Sequence, residues 1–188
     1  MNFYQYYIES GVSNVKHDCH NYIERYYSPL FESFDRSKSY NILEIGVRNG
    51  SSLKMWSDWF INSKIYGIDI DFYMPLSSNI IFFKEDAYTE KMLNKFEDNL
   101  FDIIIDDGPH TVPSQIFTIE KYINKIKPNG KLIIEDIGCK DDNNNPYSPE
   151  TSLNMLIESI DKKITDYKVF DLRNKGQYDS IILEITKK

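Results

Sequence analysis

The chain has 188 residues, 41% of them hydrophobic, which suits one domain with a substantial core. Its formal net charge is −7, from 22 Lys and Arg against 29 Asp and Glu, and such an acidic balance argues against nucleic acid as a partner. No apolar run approaches the roughly 20 residues that cross a bilayer, so no membrane partner is expected.

Residues 1–11 carry no basic side chain and are interrupted by Glu9, unlike a secretory signal, and a cytoplasmic location is expected. Cys19 and Cys139 are too few for a paired-cysteine zinc site and are read as reduced thiols. Residues 1–39 lack a strand pattern. Tyr22, Ile23, Tyr26, Tyr27, Leu30 and Phe31 predict one helix, packed on the sheet or over a site. Tyr22 and Tyr26 stand at i and i+4, so core packing alone accounts for them.

From residue 40 onward, short apolar runs alternate with amphipathic stretches. Strands are predicted at 41–45, 65–68, 80–83, 101–105 and 132–134, and their near-continuous apolar character fits a parallel sheet buried on both faces. Between them, Ser51 or Ser52 caps a helix bearing Leu53, Trp56 and Phe60. Trp56 and Trp59 are read as helix packing. Met92, Leu93, Phe96 and Leu100 recur at helical spacing. A further helix carries Val112, Ile116, Ile119, Ile123 and Ile126 and ends at Pro128-Asn129-Gly130. The alternation implies an α/β, Rossmann-like, doubly wound fold across residues 1–188, with 1–39 covering the site. Residues 141–146 read as a polar loop, and 167–172 with 180–186, about a turn at 174–177, as an antiparallel hairpin.

Open α/β sheets bind ligands beyond the carboxyl ends of their strands. The first strand runs into Gly46 and Gly50, a turn that brings backbone close to a ligand; Asn49 tolerates a left-handed conformation there. Arg48 and Ser51 stand where a dinucleotide fingerprint needs glycine, so that geometry is not supported. Arg48 can meet a ligand carboxylate or point to solvent. Asp69 and Asp71 follow the second strand; Asp69, at the tip, is preferred for ribose hydroxyls. Glu85 and Asp86 follow the third, and Asp86 can face an adenine amino group.

The densest chemistry lies at Asp106-Asp107-Gly108-Pro109-His110 and at Glu135-Asp136, each directly after an apolar run. Carboxylate oxygens suit Mg²⁺ or another hard divalent ion. His110 is the natural general base, because imidazole titrates near neutrality; it is also a possible metal ligand or a helix-cap residue. Asp107, Glu135 and Asp136 are the candidate metal ligands. Asp106 either orients the loop or meets the cofactor.

The segment Glu44-Ile45-Gly46 through Gly50 resembles the first motif of class I S-adenosylmethionine-dependent methyltransferases. Asp106 to His110, then Gly130 through Glu135-Asp136, with Ser52-Leu53 and Trp56, resemble the metal-dependent sugar O-methyltransferases of macrolide biosynthesis, with the rhamnosyl O-methyltransferase and cephalosporin-hydroxylase group. The resemblance implies a seven-stranded sheet with the last strand antiparallel. It implies S-adenosylmethionine and Mg²⁺ as cofactors, Glu44 close to the cofactor, Asp107, Glu135 and Asp136 on the metal, and His110 as base; Gly46, Gly50, Asp69, Asp86 and Asp106 complete the residues expected around the cofactor. It also assigns Lys16, His20, Tyr22 and Tyr26 to a segment covering the site. Pro109 replaces the family's small serine, Ser51 replaces a second glycine, and the chain is much shorter than the macrolide enzymes. The expected activity is methyl transfer to a sugar hydroxyl, on a small molecule or a glycan, with a homo-oligomer possible. The alternatives are a catechol-type O-methyltransferase and a cofactor-binding subunit without catalysis.

Overall fold

Apolar runs of four to six residues pair side by side and set the architecture. The computed structural model describes residues 1–71, 77–138, 148–174 and 177–188. The expected loop at 141–146, Cys139 and part of the turn at 174–177 lie outside them.

The first 32 residues form short pieces: α1 (Phe3–Ser10), α2 (Val15–Asp18), a π-helical turn (Ile23–Tyr27) and α3 (Ser28–Glu32). The expected helix holds from Tyr22 to Phe31, where the π turn runs directly into α3, and two further short helices precede it. Gly11 ends α1 in a left-handed C-cap, and Asn14 caps a new start at Lys16 N. Next come β1 (Asn41–Ile45), α4 (Ser51–Trp59), β2 (Lys64–Asp69), β3 (Ile80–Lys84), α5 (Glu90–Leu93) and β4 (Phe101–Asp106). Then follow α6 (Val112–Phe117), β5 (Ile126–Ile134), α7 (Pro149–Ser159), β6 (Thr165–Asp171) and β7 (Ile181–Lys187).

Two helical expectations change. Gly50, with φ +75°, is the N-cap of α4 in place of Ser51 or Ser52. The helix expected to reach Ile126 passes through a π turn (Thr118–Tyr122) and a 3-10 turn (Ile123–Lys125), and Ile126 already begins β5. Pro128, Asn129 and Gly130 thus lie in that strand, near a shift in its register with β4.

The seven strands run in the order β3-β2-β1-β4-β5-β7-β6. The first five pair parallel, and β7 is antiparallel to both β5 and β6. Register decides what reaches the edge: Ile45 pairs with Ile68 and with Asp106, and Asp106 pairs with Ile134. Gly46, Asp69, Asp107 and Glu135 therefore emerge together. Side chains alternate between two cores, as period-two geometry requires. Ile42, Ile103, Ile105 and Ile133 face the N-terminal segment; Leu43, Ile45, Ile104, Leu132 and Ile134 face the opposite layer, which includes Tyr122 and Leu156.

Candidate active site

A cavity of about 1020 Å³ opens at this edge, walled by the Gly46–Asn49 loop, Asp69 to Asp71, Glu85 to Tyr88, Asp107 to Thr111, Asp136 and Ser13 to Lys16. That volume is at the upper end for a small-molecule site, room for a nucleoside cofactor and a second ligand.

The glycine turn fits tightly. Gly46 has φ +81°, and a Cβ there would lie 2.0 Å from the Asp107 carbonyl oxygen. Arg48, not Asn49, takes the left-handed position, with φ 51°. Asp69 Oδ2 accepts the Val47 and Arg48 amides at 2.8 Å each, and its Oδ1 accepts the Asp71 amide at 2.9 Å. Asp69 therefore braces the loop. Asp71, whose side chain is 94% exposed, also lies on the cavity wall, with its Oδ1 3.5 Å from Lys84 Nζ. Asp86 is on the wall as expected.

Three residues expected near the cofactor are not among those lining the cavity. Gly50 serves the helix cap. Asp106 is buried, accepting from Tyr88 Oη at 2.7 Å, Thr118 Oγ1 at 2.6 Å and the Gly108 amide at 3.1 Å. It orients the loop, its carboxyl raised by burial and drawn back by those donors. Glu44 is fully buried behind the cavity, accepting from Trp56 Nε1 at 3.0 Å, with its carboxyl raised by burial.

Asp107, His110 and Asp136 converge, with one ligand atom from each lying within 4.8 Å of the others. His110 Nε2 is 3.7 Å from Asp107 Oδ1 and 3.7 Å from Asp136 Oδ2. Both distances run from the imidazole to a carboxylate, and a spacing of about 3–4 Å suits either an imidazole that shares one small hard cation with the acids or an imidazole beside a cation that the two acids hold. The donor set holds no thiol, which also favours such an ion. His110 and Asp136 both have left-handed backbones, φ 57° and 53°. Strained non-glycine residues of this kind concentrate at functional sites.

Glu135 is not part of that trio. Its Oε2 accepts from Lys16 Nζ at 2.7 Å, and its Oε1 accepts a short hydrogen bond from Tyr27 Oη. Lys16 Nζ also lies 2.6 Å from Asp107 Oδ2 and 3.2 Å from Glu44 Oε1. Burial opposes the ammonium's charge, but the three carboxylates outweigh it and hold its pKa well above the usual lysine value. Burial, then repulsion from Asp107 and Asp136, pushes the Glu135 carboxyl well up, against the pull of Lys16. Asp136 is raised by burial and by Asp107, and lowered by His110, His20 and Tyr22.

The tyrosines carry more than packing. Tyr22 Oη donates to Asp136 Oδ1 at 2.7 Å, and Tyr26 Oη to Glu184 Oε2 at 2.8 Å. The π turn, closed by Ser28 N on Ile23 O, aligns residues five apart, so Tyr22 and Tyr27 reach adjacent carboxylates. His20 Nδ1 is 2.8 Å from Ser180 Oγ and 3.5 Å from Asp136 Oδ1. Tyr27 was read only as part of a helix packed on the sheet or over the site, and the π turn that aligns it with Tyr22 has no local sequence signal. Trp56 and Trp59 are buried in packing, as expected.

Sheet order, the antiparallel β7 and the glycine turn define the class I methyltransferase fold. No family model matches the chain. It is 28% identical, over 151 residues, to mycinamicin VI 2''-O-methyltransferase of Micromonospora griseorubida, covering 68% of this chain and 38% of that protein. It is 26% identical, over 181 residues, to demethylmacrocin O-methyltransferase of Streptomyces fradiae, covering 81% and 46%. The chain thus spans less than half the length of these relatives. The solved structure of the MycE methyltransferase of mycinamycin biosynthesis, in complex with Mg and SAH, matches at TM-score 0.66 and 21% identity over 98% of this chain and 53% of that one. That likeness carries the fold.

Proposed function

We propose that this chain is an S-adenosylmethionine-dependent O-methyltransferase domain that acts on a sugar hydroxyl of a small molecule or glycan, with help from Mg²⁺ or a similar ion. The convergence of Asp107, His110 and Asp136 on the cavity that the glycine loop also walls carries this reading. The sugar O-methyltransferases among its relatives support the acceptor class.

Asp107 and Asp136 would hold the ion, and Glu135 is a ligand only if it leaves Lys16. When bound, the ion and cofactor supply a more acidic hydroxyl and an electrophilic methyl group. The residues do the rest. His110 Nε2 faces the oxygens that would flank the acceptor hydroxyl and takes its proton. Tyr22 fixes Asp136 through one oxygen and leaves Oδ2 toward His110. Asp69 holds the glycine loop, and Asp69, Asp71 and Asp86 stand on the wall where the nucleoside's hydroxyl and amino groups would lie. Much of the rate enhancement is then positioning.

The catechol-type alternative needs aromatic walls at the ion, but Tyr22, Tyr26 and Tyr27 are buried and committed to carboxylates; among the described residues, Tyr88 and Phe117 are the aromatic ones on the cavity wall. A cytoplasmic setting belongs to the same reading, and no helix among the described residues is long and apolar enough to cross a membrane. A homo-oligomer remains part of the proposal.

The test is methyl transfer from labelled cofactor to a panel of free, nucleotide-linked and macrolide-linked sugars and catechol, with Mg²⁺ or EDTA. Sugar methylation lost with EDTA supports the reading. Methylation of catechol alone, or full activity in EDTA, overturns it.

A further inference from the structure

The N-terminal segment delivers an unusual group to the acidic edge: a lysine side chain only 5% exposed, among three carboxylates. Its ammonium has three N–H donors. It lies 2.6 Å from Asp107 Oδ2, 2.7 Å from Glu135 Oε2 and 3.2 Å from Glu44 Oε1. The opposite oxygens of Glu44 and Glu135 are held by neutral donors, Trp56 Nε1 and Tyr27 Oη. Asp107 is shared, because its Oδ1 faces His110 and the proposed ion.

Lys16 is fixed in place from its backbone outward. Asn14 Oδ1 accepts the Lys16 amide at 2.9 Å, and Asn14 Nδ2 donates to Ser51 Oγ at 2.7 Å, on the first turn of α4. A carboxylate shared between two cations about 3.5–4 Å apart is the plan of two-metal sites. A buried charge persists only where partners compensate it, and here the partners are the ligand type a second hard ion would use.

We propose that Lys16 is a positioning residue whose ammonium fills the second cation position of a two-cation carboxylate site, so that the chain takes a single divalent ion. This rests on the proposed function only for the ion at Asp107 and Asp136. The lysine keeps Glu135 and one oxygen of Asp107 from a second metal and leaves the Asp107–His110–Asp136 side open. A general loss of positive charge would merely tighten the one ion; removing an occupant opens a second position. Stoichiometry separates the two.

The experiment is Mn²⁺ titration of the wild type and of Lys16→Met, followed by calorimetry and electron paramagnetic resonance, with thermal melting alongside. Expected are one ion in the wild type and two in the variant, with an exchange-coupled spectrum and a larger Mn²⁺-dependent rise in Tm. If Lys16→Met folds only with Mn²⁺, the same two-ion stoichiometry supports the proposal. A variant that stays unfolded at saturating Mn²⁺ overturns it, because the ion then fails to replace the ammonium. One ion in both proteins, however tight, overturns the role of Lys16 and spares the proposed function. No ion in the wild type overturns both.

Discussion

Asp136 Oδ2 stands 3.7 Å from His110 Nε2, and both residues hold left-handed backbones, φ 53° and 57°. Separate loops after β4 and β5 pay a conformational cost to bring these two side chains to one point. Left-handed geometry costs a non-glycine residue about 1–2 kcal/mol. Both His110→Gly and His110→Ala remove the imidazole, so their comparison isolates that cost. The glycine variant should be more stable than the alanine variant by about 1 kcal/mol in urea unfolding. Equal stability would mean that the backbone relaxes freely there.

His110→Ala should leave cofactor affinity nearly unchanged and lower turnover about 10²–10⁴-fold, as for a lost general base. Calorimetry with the demethylated cofactor and a single-turnover assay separate the two effects. A large loss of Mn²⁺ affinity in the same variant would instead make His110 a ligand.

Asp136→Asn should weaken Mn²⁺ binding at least about tenfold, because a charged hard ligand is lost. Tyr22→Phe removes the hydroxyl 2.7 Å from Asp136 Oδ1 and should weaken binding by less than Asp136→Asn does, because it takes away an outer partner and leaves the ligand. Equal Mn²⁺ affinity in Asp136→Asn and wild type would remove Asp136 from the site.

Gly46→Ala places a Cβ 2.0 Å from the Asp107 carbonyl oxygen, at φ +81°. Backbone must move on one side or the other, so the substitution should cost at least about 3 kcal/mol or abolish folding. A chevron or urea midpoint near the wild type would show that the two loops are not locked together.

Burial raises the carboxyls of Glu44, Asp106, Glu135 and Asp136. The fold therefore prefers their protonated forms. The stability they contribute is complete below the ordinary values, 3.8 for aspartate and 4.5 for glutamate, and is lost as pH rises through the raised ones. In EDTA, Tm at pH 8 should therefore lie below Tm at pH 5.5. Mg²⁺ should stabilise more at pH 8, because ligating carboxylates must be ionised. A Tm that rises with pH in EDTA would contradict the buried acidic cluster.

The sheet was legible because buried parallel strands announce themselves as apolar runs, and β1 matched its expected bounds. Helix lengths were less legible. The spacing through Ile126 suits a helix, but tertiary pairing with β4 draws Ile126 into β5. The carboxylate cluster was visible from its position after strands, and strand alternation separates Asp106 from Asp107: Ile105 and Ile104 face opposite cores, so the following acids do too. Glu135 was harder to place. Its partners Lys16 and Tyr27 are remote in sequence, and a lysine beside a presumed metal ligand has no local pattern. Asp69 lies on the cavity wall, but strand-tip position did not reveal that its oxygens also accept the loop's backbone amides.

The most direct measurement is a crystal structure with Mn²⁺ and demethylated cofactor, using anomalous scattering to locate the ion. Expected is one peak about 2.1 Å from oxygens of both Asp107 and Asp136, with the cofactor against the Gly46 loop and His110 Nε2 facing the acceptor space. A peak away from those two carboxylates, or bound cofactor with the acidic edge turned from it, contradicts the catalytic assignment.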